Sequence, residues 1–142
     1  MTTRAQLSQS KEHEGGHTEL MRAALAGQTE TVKKLLESGA NVNQTDDEGR
    51  TPLMFAVTNL QTGSAKALLD HGADVNVKAN DGSTALMLAA SSGDHETVRD
   101  LLNKGADASA KFTETGKTAL MLAKEKGYTD IVRSLEAAGA KL

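Results

Sequence analysis

Four threonines divide the chain at almost equal intervals. Thr18 opens Thr-Glu-Leu-Met-Arg-Ala-Ala, Thr51 opens Thr-Pro-Leu-Met-Phe-Ala-Val, Thr84 opens Thr-Ala-Leu-Met-Leu-Ala-Ala and Thr118 opens Thr-Ala-Leu-Met-Leu-Ala-Lys, at spacings of 33, 33 and 34 residues. A second landmark keeps the same phase: Leu35-Leu36 before Gly39-Ala40-Asn41-Val42-Asn43, Leu68-Leu69 before Gly72-Ala73-Asp74-Val75-Asn76, and Leu101-Leu102 before Gly105-Ala106-Asp107. A third is the glycine two residues ahead of the last three threonines: Gly49, Gly82 and Gly116. Three landmarks in one register describe a linear array of like units, each burying its apolar side against its neighbours. Composition agrees, because 38% of the chain is hydrophobic but only 2% aromatic. A core of Leu, Val, Ala and Met suits thin elements packed closely better than one thick centre.

Each unit reads as two short helices and a turn. The threonine is an N-cap whose hydroxyl accepts from a free amide of the first turn, and Pro52 follows at the first helical position, where a missing N–H costs nothing. In the third unit Leu86, Ala89 and Ala90 form an apolar face at i, i+3, i+4, Gly93 ends the helix, and Val98, Leu101 and Leu102 form the face of a second helix. Gly105 occupies a left-handed C-terminal position. Asn80-Asp81-Gly82 provides tight-turn chemistry before the next threonine.

Residues 18–142 resemble the ankyrin repeat family, on the strength of the Thr-Pro-Leu…Ala, Gly-Ala-Asp-Val-Asn and Asp-Asp-Glu-Gly elements at that family's period of ~33 residues. The resemblance implies an all-α ankyrin-repeat solenoid of helix-turn-helix units with short β-turn fingers. Its repeats fall at approximately 17–49, 50–82, 83–116 and 117–142, after a polar leader (1–16) expected to be partly disordered. The histidine that often follows Thr-Pro-Leu in the family is methionine in every unit: Met21, Met54, Met87 and Met121. In-phase methionines at this spacing predict a packed stripe of gap-filling side chains. Charge stands at the ends where inner units are apolar: Arg22 in the place of Phe55, Leu88 and Leu122, Lys124 in that of Ala24, Val57 and Ala90, and Glu136 for the second leucine of its pair. Polar outer faces are what the terminal layers of a stack require, so the four units are expected to make a whole domain.

Lys+Arg 16 against Asp+Glu 19 gives a net charge of −3, which argues against a nucleic-acid coat or a polybasic membrane tether. The absence of cysteine rules out disulfides, thiol nucleophiles and thiolate metal sites. No apolar run approaches the ~18 residues of a membrane span, and the N-terminus has no signal-like apolar segment. A monomeric, cytoplasmic, non-enzymatic protein without cofactor or metal is expected.

His13-Glu14-Gly15-Gly16-His17 matches the His-Glu-x-x-His pattern of zinc proteases, but two central glycines oppose the helix that pattern needs, and Gly16 stands in the turn-glycine position. Gly116-Lys117-Thr118 resembles the end of a phosphate-binding loop, yet position 111 is lysine where that loop needs glycine. His71 and His95 are expected on the surface. In the second unit Leu60 replaces the inter-helix glycine found at Gly27, Gly93 and Gly127, so the loop is expected to shift toward Gly63. That unit's second helix, with Ser64, Ala65 and Ala67, is expected to be the softest. The fourth unit's turn has one extra residue, around Phe112-Thr113-Glu114-Thr115-Gly116.

By the resemblance, contacts come from the turn tips and the inner face of the first helices. Those positions are Thr45, Asp47, Glu48, Arg50, Thr58 and Asn59 in the second unit; Lys78, Asn80, Asp81, Ser83, Ser91 and Ser92 in the third; and Phe112, Glu114, Thr115, Lys117, Glu125 and Lys126 in the fourth. They vary while the framework repeats. Their charge is mixed and they hold one aromatic, which disfavours tracking of a phosphate backbone or stacking of bases. Phe112 and Arg50 are the strongest anchors for a protein partner, on a concavity on the order of 40 Å long. The implied function is a non-catalytic protein-binding module. The alternatives are a repeat scaffold without a dedicated partner, natural or engineered, and a metal or hydrolytic site at His13–His17.

Overall fold

The structure, a computed structural model, describes residues 16–141. His13, Glu14 and Gly15 of the His-Glu-x-x-His segment, with the rest of the leader before them, lie outside the described residues. Eight helices follow in four consecutive pairs: α1 (Glu19–Ala26) and α2 (Thr29–Glu37), α3 (Pro52–Thr58) and α4 (Thr62–Asp70), α5 (Ala85–Ser92) and α6 (His95–Asn103), α7 (Ala119–Lys126) and α8 (Thr129–Ala137). The first helices α1, α3, α5 and α7 stack in one row, the second helices α2, α4, α6 and α8 in another, and each helix packs on its pair mate. The molecule is an all-α repeat solenoid.

The period seen in the sequence is the period of the core. Leu20, Leu53, Leu86 and Leu120, one per repeat, are each 1% exposed, and Leu35, Leu68, Leu101 and Leu135 are each 0% exposed. Burying a leucine side chain fully contributes about 1.5–3 kcal/mol, so these two columns bind each layer to the next. Met21, Met54 and Met87 are buried beside them and Met121 is half-buried, forming the anticipated stripe. Thr18, Thr51, Thr84 and Thr118 are buried, and each hydroxyl accepts from the amide of the methionine three residues on, at 3.2–3.3 Å. A cap of this kind stabilises its helix by about 1 kcal/mol. In the first repeat the Thr18 amide also points at the Met21 sulfur, 3.4 Å away. At the ends, Arg22, Lys124 and Glu136 are exposed, and Lys124 lies 3.8 Å from Glu136.

The second repeat corrects one expectation. Its inter-helix loop does not shift to Gly63, which lies inside α4. Leu60 itself adopts the left-handed conformation, φ 58°, matching Gly27 (73°), Gly93 (78°) and Gly127 (73°). The reason is the bond that spans the loop. Gln28, Gln61, Asp94 and Tyr128 donate their amides to Ala23, Ala56, Ala89 and Ala123 at 2.8–3.1 Å, so identical stacking imposes identical backbone whatever residue stands there. The leucine pays a left-handed cost of roughly 1–2 kcal/mol and keeps its side chain 54% exposed. Helix α4 is also well anchored: Ser64, Ala65, Ala67, Leu68 and Leu69 are all buried, and Ser64 shares a 3.2 Å hydrogen bond with Thr29 of the preceding repeat. Small side chains let α4 approach its neighbours closely.

His71 is exposed, with Nδ1 2.8 Å from the Ala67 carbonyl. His95 is not a surface residue as expected. It is half-buried, with Nε2 2.7 Å from the Ser134 hydroxyl, because α6 and α8 are neighbours in the row of second helices, called the outer row below. Among the described residues no helix is long and apolar enough to cross a membrane.

Candidate functional site

The turns that join successive repeats stand beside one another as a row of fingers. Each is closed by the same pair of bonds. The Asp46 amide donates to the Arg50 carbonyl (2.9 Å), Ala79 to Ser83 (2.9 Å) and Phe112 to Lys117 (3.0 Å), while Gly49, Gly82 and Gly116 donate back to Asp46, Ala79 and Phe112. The fingers are also bonded to each other: the Asn80 amide donates to the Glu48 carbonyl at 2.9 Å, and the Thr113 amide to the Asp81 carbonyl at 2.8 Å. This contact needs Gly82. A Cβ there would come within 2.5 Å of the Lys111 carbonyl oxygen and 2.9 Å of the Thr113 nitrogen, at a backbone φ of +87°. The row is therefore a continuous wall, not a set of independent loops.

A cavity of about 640 Å³ opens between these fingers and the inner helices, lined by Glu48, Arg50, Ala79, Asn80, Asp81, Phe112, Thr113, Glu114, Thr115, Lys117 and Leu122. Its size lies within the range of ~300–1,000 Å³ usual for ligand sites. Of the residues proposed from the sequence as contacts, it gathers Glu48, Arg50, Asn80, Asp81, Phe112, Glu114, Thr115 and Lys117. Phe112 is half-buried against the core and offers its remaining surface to the cleft.

The other proposed contacts stand outside this cavity lining. Asp47, Thr58, Asn59, Lys78, Glu125 and Lys126 are exposed; Thr45, Ser91 and Ser92 are half-buried. The Asn59 side chain donates to the Leu25 carbonyl at 3.0 Å, which ties the second repeat to the first. Ser83 is a correction. It is 5% exposed, and its amide and hydroxyl both donate to the Asp81 carboxylate at 2.9 and 2.7 Å. Its hydroxyl closes the turn in place of facing a partner.

Sequence reasoning missed Asp46, which holds the second-repeat finger together. Its side chain is completely buried. One oxygen accepts the Glu48 and Arg50 amides at 3.0 and 2.8 Å, and the other accepts Arg50 Nε at 2.9 Å. Burial by itself would raise the Asp46 carboxyl, but the Arg50 amide, the Arg50 side chain and the Glu48 amide outweigh it and hold the group below its ordinary value. Asp81 is likewise held low, first by the Ser83 hydroxyl and then, against some burial, by backbone amides. The signal for Asp46 was available. Aspartate at the first position of a turn with glycine at the fourth is a strong type I pattern, and position 46 is in phase with Ala79 and Phe112, which point inward.

Arg50 is held from several sides. Besides Asp46, it lies 3.5 Å from Glu48 and 4.9 Å over the Phe55 ring, and His17 meets the same ring edge-on at 5.4 Å. Lys117 is paired with Glu125 at 2.8 Å. Both cations of the cleft thus already have a carboxylate beside them, whereas among the described residues Glu114 and Asp81 have no ion pair. The cleft offers an aromatic surface, an aliphatic floor and two open carboxylates. Among the described residues no group of three or more His, Asp or Glu side chains is placed to hold a metal.

Comparison with known proteins places the chain. No curated protein matches it. The family model for ankyrin repeats, which describes three copies, matches residues 4–79 and 76–142. That match covers nearly the whole chain and agrees with the helix pairs and bonded turns seen in the structure; the chain belongs to the ankyrin repeat family.

Proposed function

We propose that this chain is a non-catalytic module that binds a protein partner on the concave side, through the finger cleft and the adjoining face of the first helices. Ankyrin repeats are in general protein–protein interaction modules, and the family is typically non-enzymatic. The observation that carries the finer reading is the cleft itself. Side chains from three successive turns line one cavity around Phe112, and those same positions differ from repeat to repeat while the leucine columns do not. A rigid stack presenting a variable wall supports recognition, since little conformational entropy is lost when an ordered surface binds.

Affinity capture from the source cell with crosslinking mass spectrometry tests the reading. Crosslinks are expected at Lys117 and Lys111, and Phe112→Ala is expected to weaken capture at least tenfold, in the range of an interface hot spot. Crosslinks confined to the outer row, at Lys33, Lys66 or Lys104, together with full capture by Phe112→Ala, would overturn it.

A further inference from the structure

We infer that the occupant of the finger cleft is an arginine-bearing, extended protein segment, its guanidinium set between the Asp81 and Glu114 carboxylates and the Phe112 ring. This deepens the docking reading above and rests on it. The charge balance of the cleft points to a cation. Arg50 is held by buried Asp46 at 2.9 Å and by Glu48 at 3.5 Å, and Lys117 by Glu125 at 2.8 Å, so each cation already has a carboxylate beside it. Glu114 is exposed, and among the described residues no side chain bonds to it. The Asp81 carboxylate takes the Ser83 amide and hydroxyl on Oδ1, with the Arg50 charge acting on it from beyond ion-pair distance, and among the described residues no other side chain bonds to its second oxygen.

The shape of the cleft selects among cations. An aromatic face beside carboxylates suits a planar guanidinium, which can stack on the ring while its fork of N–H groups meets a carboxylate side by side. Leu122 and Ala79 give the aliphatic stem an apolar floor. At about 640 Å³ the cavity exceeds what one side chain fills, so residues flanking the arginine enter with it. That favours a segment of protein over a free small guanidinium compound.

The test is a titration of the full chain, followed by amide NMR, with three short capped peptides that alternate leucine with arginine, citrulline or glutamate, and with free arginine amide. Citrulline keeps the shape of arginine and removes its charge. The arginine peptide is expected to shift the amides of Asp81, Phe112 and Glu114 and to bind at least about tenfold more tightly than the citrulline peptide. Combined Asp81→Asn and Glu114→Gln is expected to abolish that preference; both changes keep an acceptor oxygen, so the turn bonds to Ser83 survive. Glu37→Gln with Asp130→Asn, the same loss of charge on exposed outer-row positions, is expected to leave it intact.

Equal binding of all three peptides in the cleft would overturn the arginine assignment while leaving the docking reading standing. So would free arginine amide binding as tightly as the peptide, which would remove the need for a segment. Equal loss in the outer-row control would reduce the preference to bulk charge and overturn the inference as well. Shifts that avoid the cleft with every peptide, combined with partner crosslinks on the outer row, would take down both readings.

Discussion

The second-repeat finger and the fourth-repeat finger flank the same cleft, and they are built from the same backbone bonds around different side chains. Position 46 is a buried aspartate, position 79 a buried alanine and position 112 a half-buried phenylalanine, each donating its amide across the base of its turn. In the second repeat the buried carboxylate bonds two amides and Arg50, so that finger is closed and its charge is satisfied internally. In the third, alanine offers nothing, and Asp81 with Ser83 takes over the closing role. In the fourth, the phenylalanine supplies apolar contact, one residue is added, and within the finger's tip the Thr115 hydroxyl accepts the Lys117 amide at 3.3 Å. One wall of the cleft is therefore fixed by polar bonds, while the other is held by packing and leaves its polar groups facing outward. A constant frame lets one position serve as anchor in one repeat and as contact surface in another.

Replacing the anchor should give the largest effect. Asp46→Ala leaves two amides and a guanidinium without their acceptor and is expected to cost about 2–3 kcal/mol in chemical denaturation. A loss below about 0.5 kcal/mol would mean that the two fingers are held alike and would break the contrast.

The same residue gives a pH signature. The Asp46 carboxyl is held low in the folded state, so its contribution is complete above the unfolded value of ~4 and fades as pH falls through the lower folded value. Asp81 and Asp107 are held low as well, each first by a serine hydroxyl, Ser83 and Ser109, and titrate in the same direction. Stability measured from pH 5 downward should decline, and the decline should be shallower in Asp46→Asn; parallel curves would remove Asp46 from the account.

Phe112→Ala in the other finger is expected to cost less, about 1–2 kcal/mol, since only part of the ring leaves water on folding, while its effect on partner binding should exceed that of Asp46→Asn. If Phe112→Ala proves the more destabilising of the two finger variants, packing and not the buried carboxylate is the stronger closure. The smallest effect is a gain. Leu60→Gly relieves the left-handed leucine of the second inter-helix loop and is expected to add about 0.5–1 kcal/mol after the glycine's larger unfolded entropy is counted. A loss would show that the exposed leucine side chain stabilises the loop by contacts that outweigh its backbone strain.

Much of this architecture was legible from the residues. The two leucine columns, the four threonine caps and the methionine stripe follow from in-phase repetition, because a unit that cannot bury its apolar face alone must present it at the same place each time. The turn tips were legible as a surface for the same reason, since positions that vary inside a constant frame are the ones the stack does not need. The misreadings share one cause. Leu60 was judged by its own backbone preference, Ser83 and His95 by their polarity, and Asp46 was passed over among the charges of a turn. Each of these is decided by a particular bonded partner: Gln61 to Ala56 across the Leu60 loop, Asp81 for Ser83, Glu48 and Arg50 for Asp46, and Ser134 of the next repeat for His95.

The sequence by itself determined the layer: its period, its caps, its apolar faces and the register in which layers pile. Only the tertiary structure decided which polar residues face inward and which remain open at the cleft, including the burial of Asp46, the engagement of Arg50 and Lys117, and the open carboxylates of Asp81 and Glu114. The physical reason is geometry. Hydrophobic periodicity and capping follow from residue type at fixed spacing, whereas the closing of a charge depends on the folded shape of each turn, which brings Arg50 onto Asp46 and Glu125 onto Lys117.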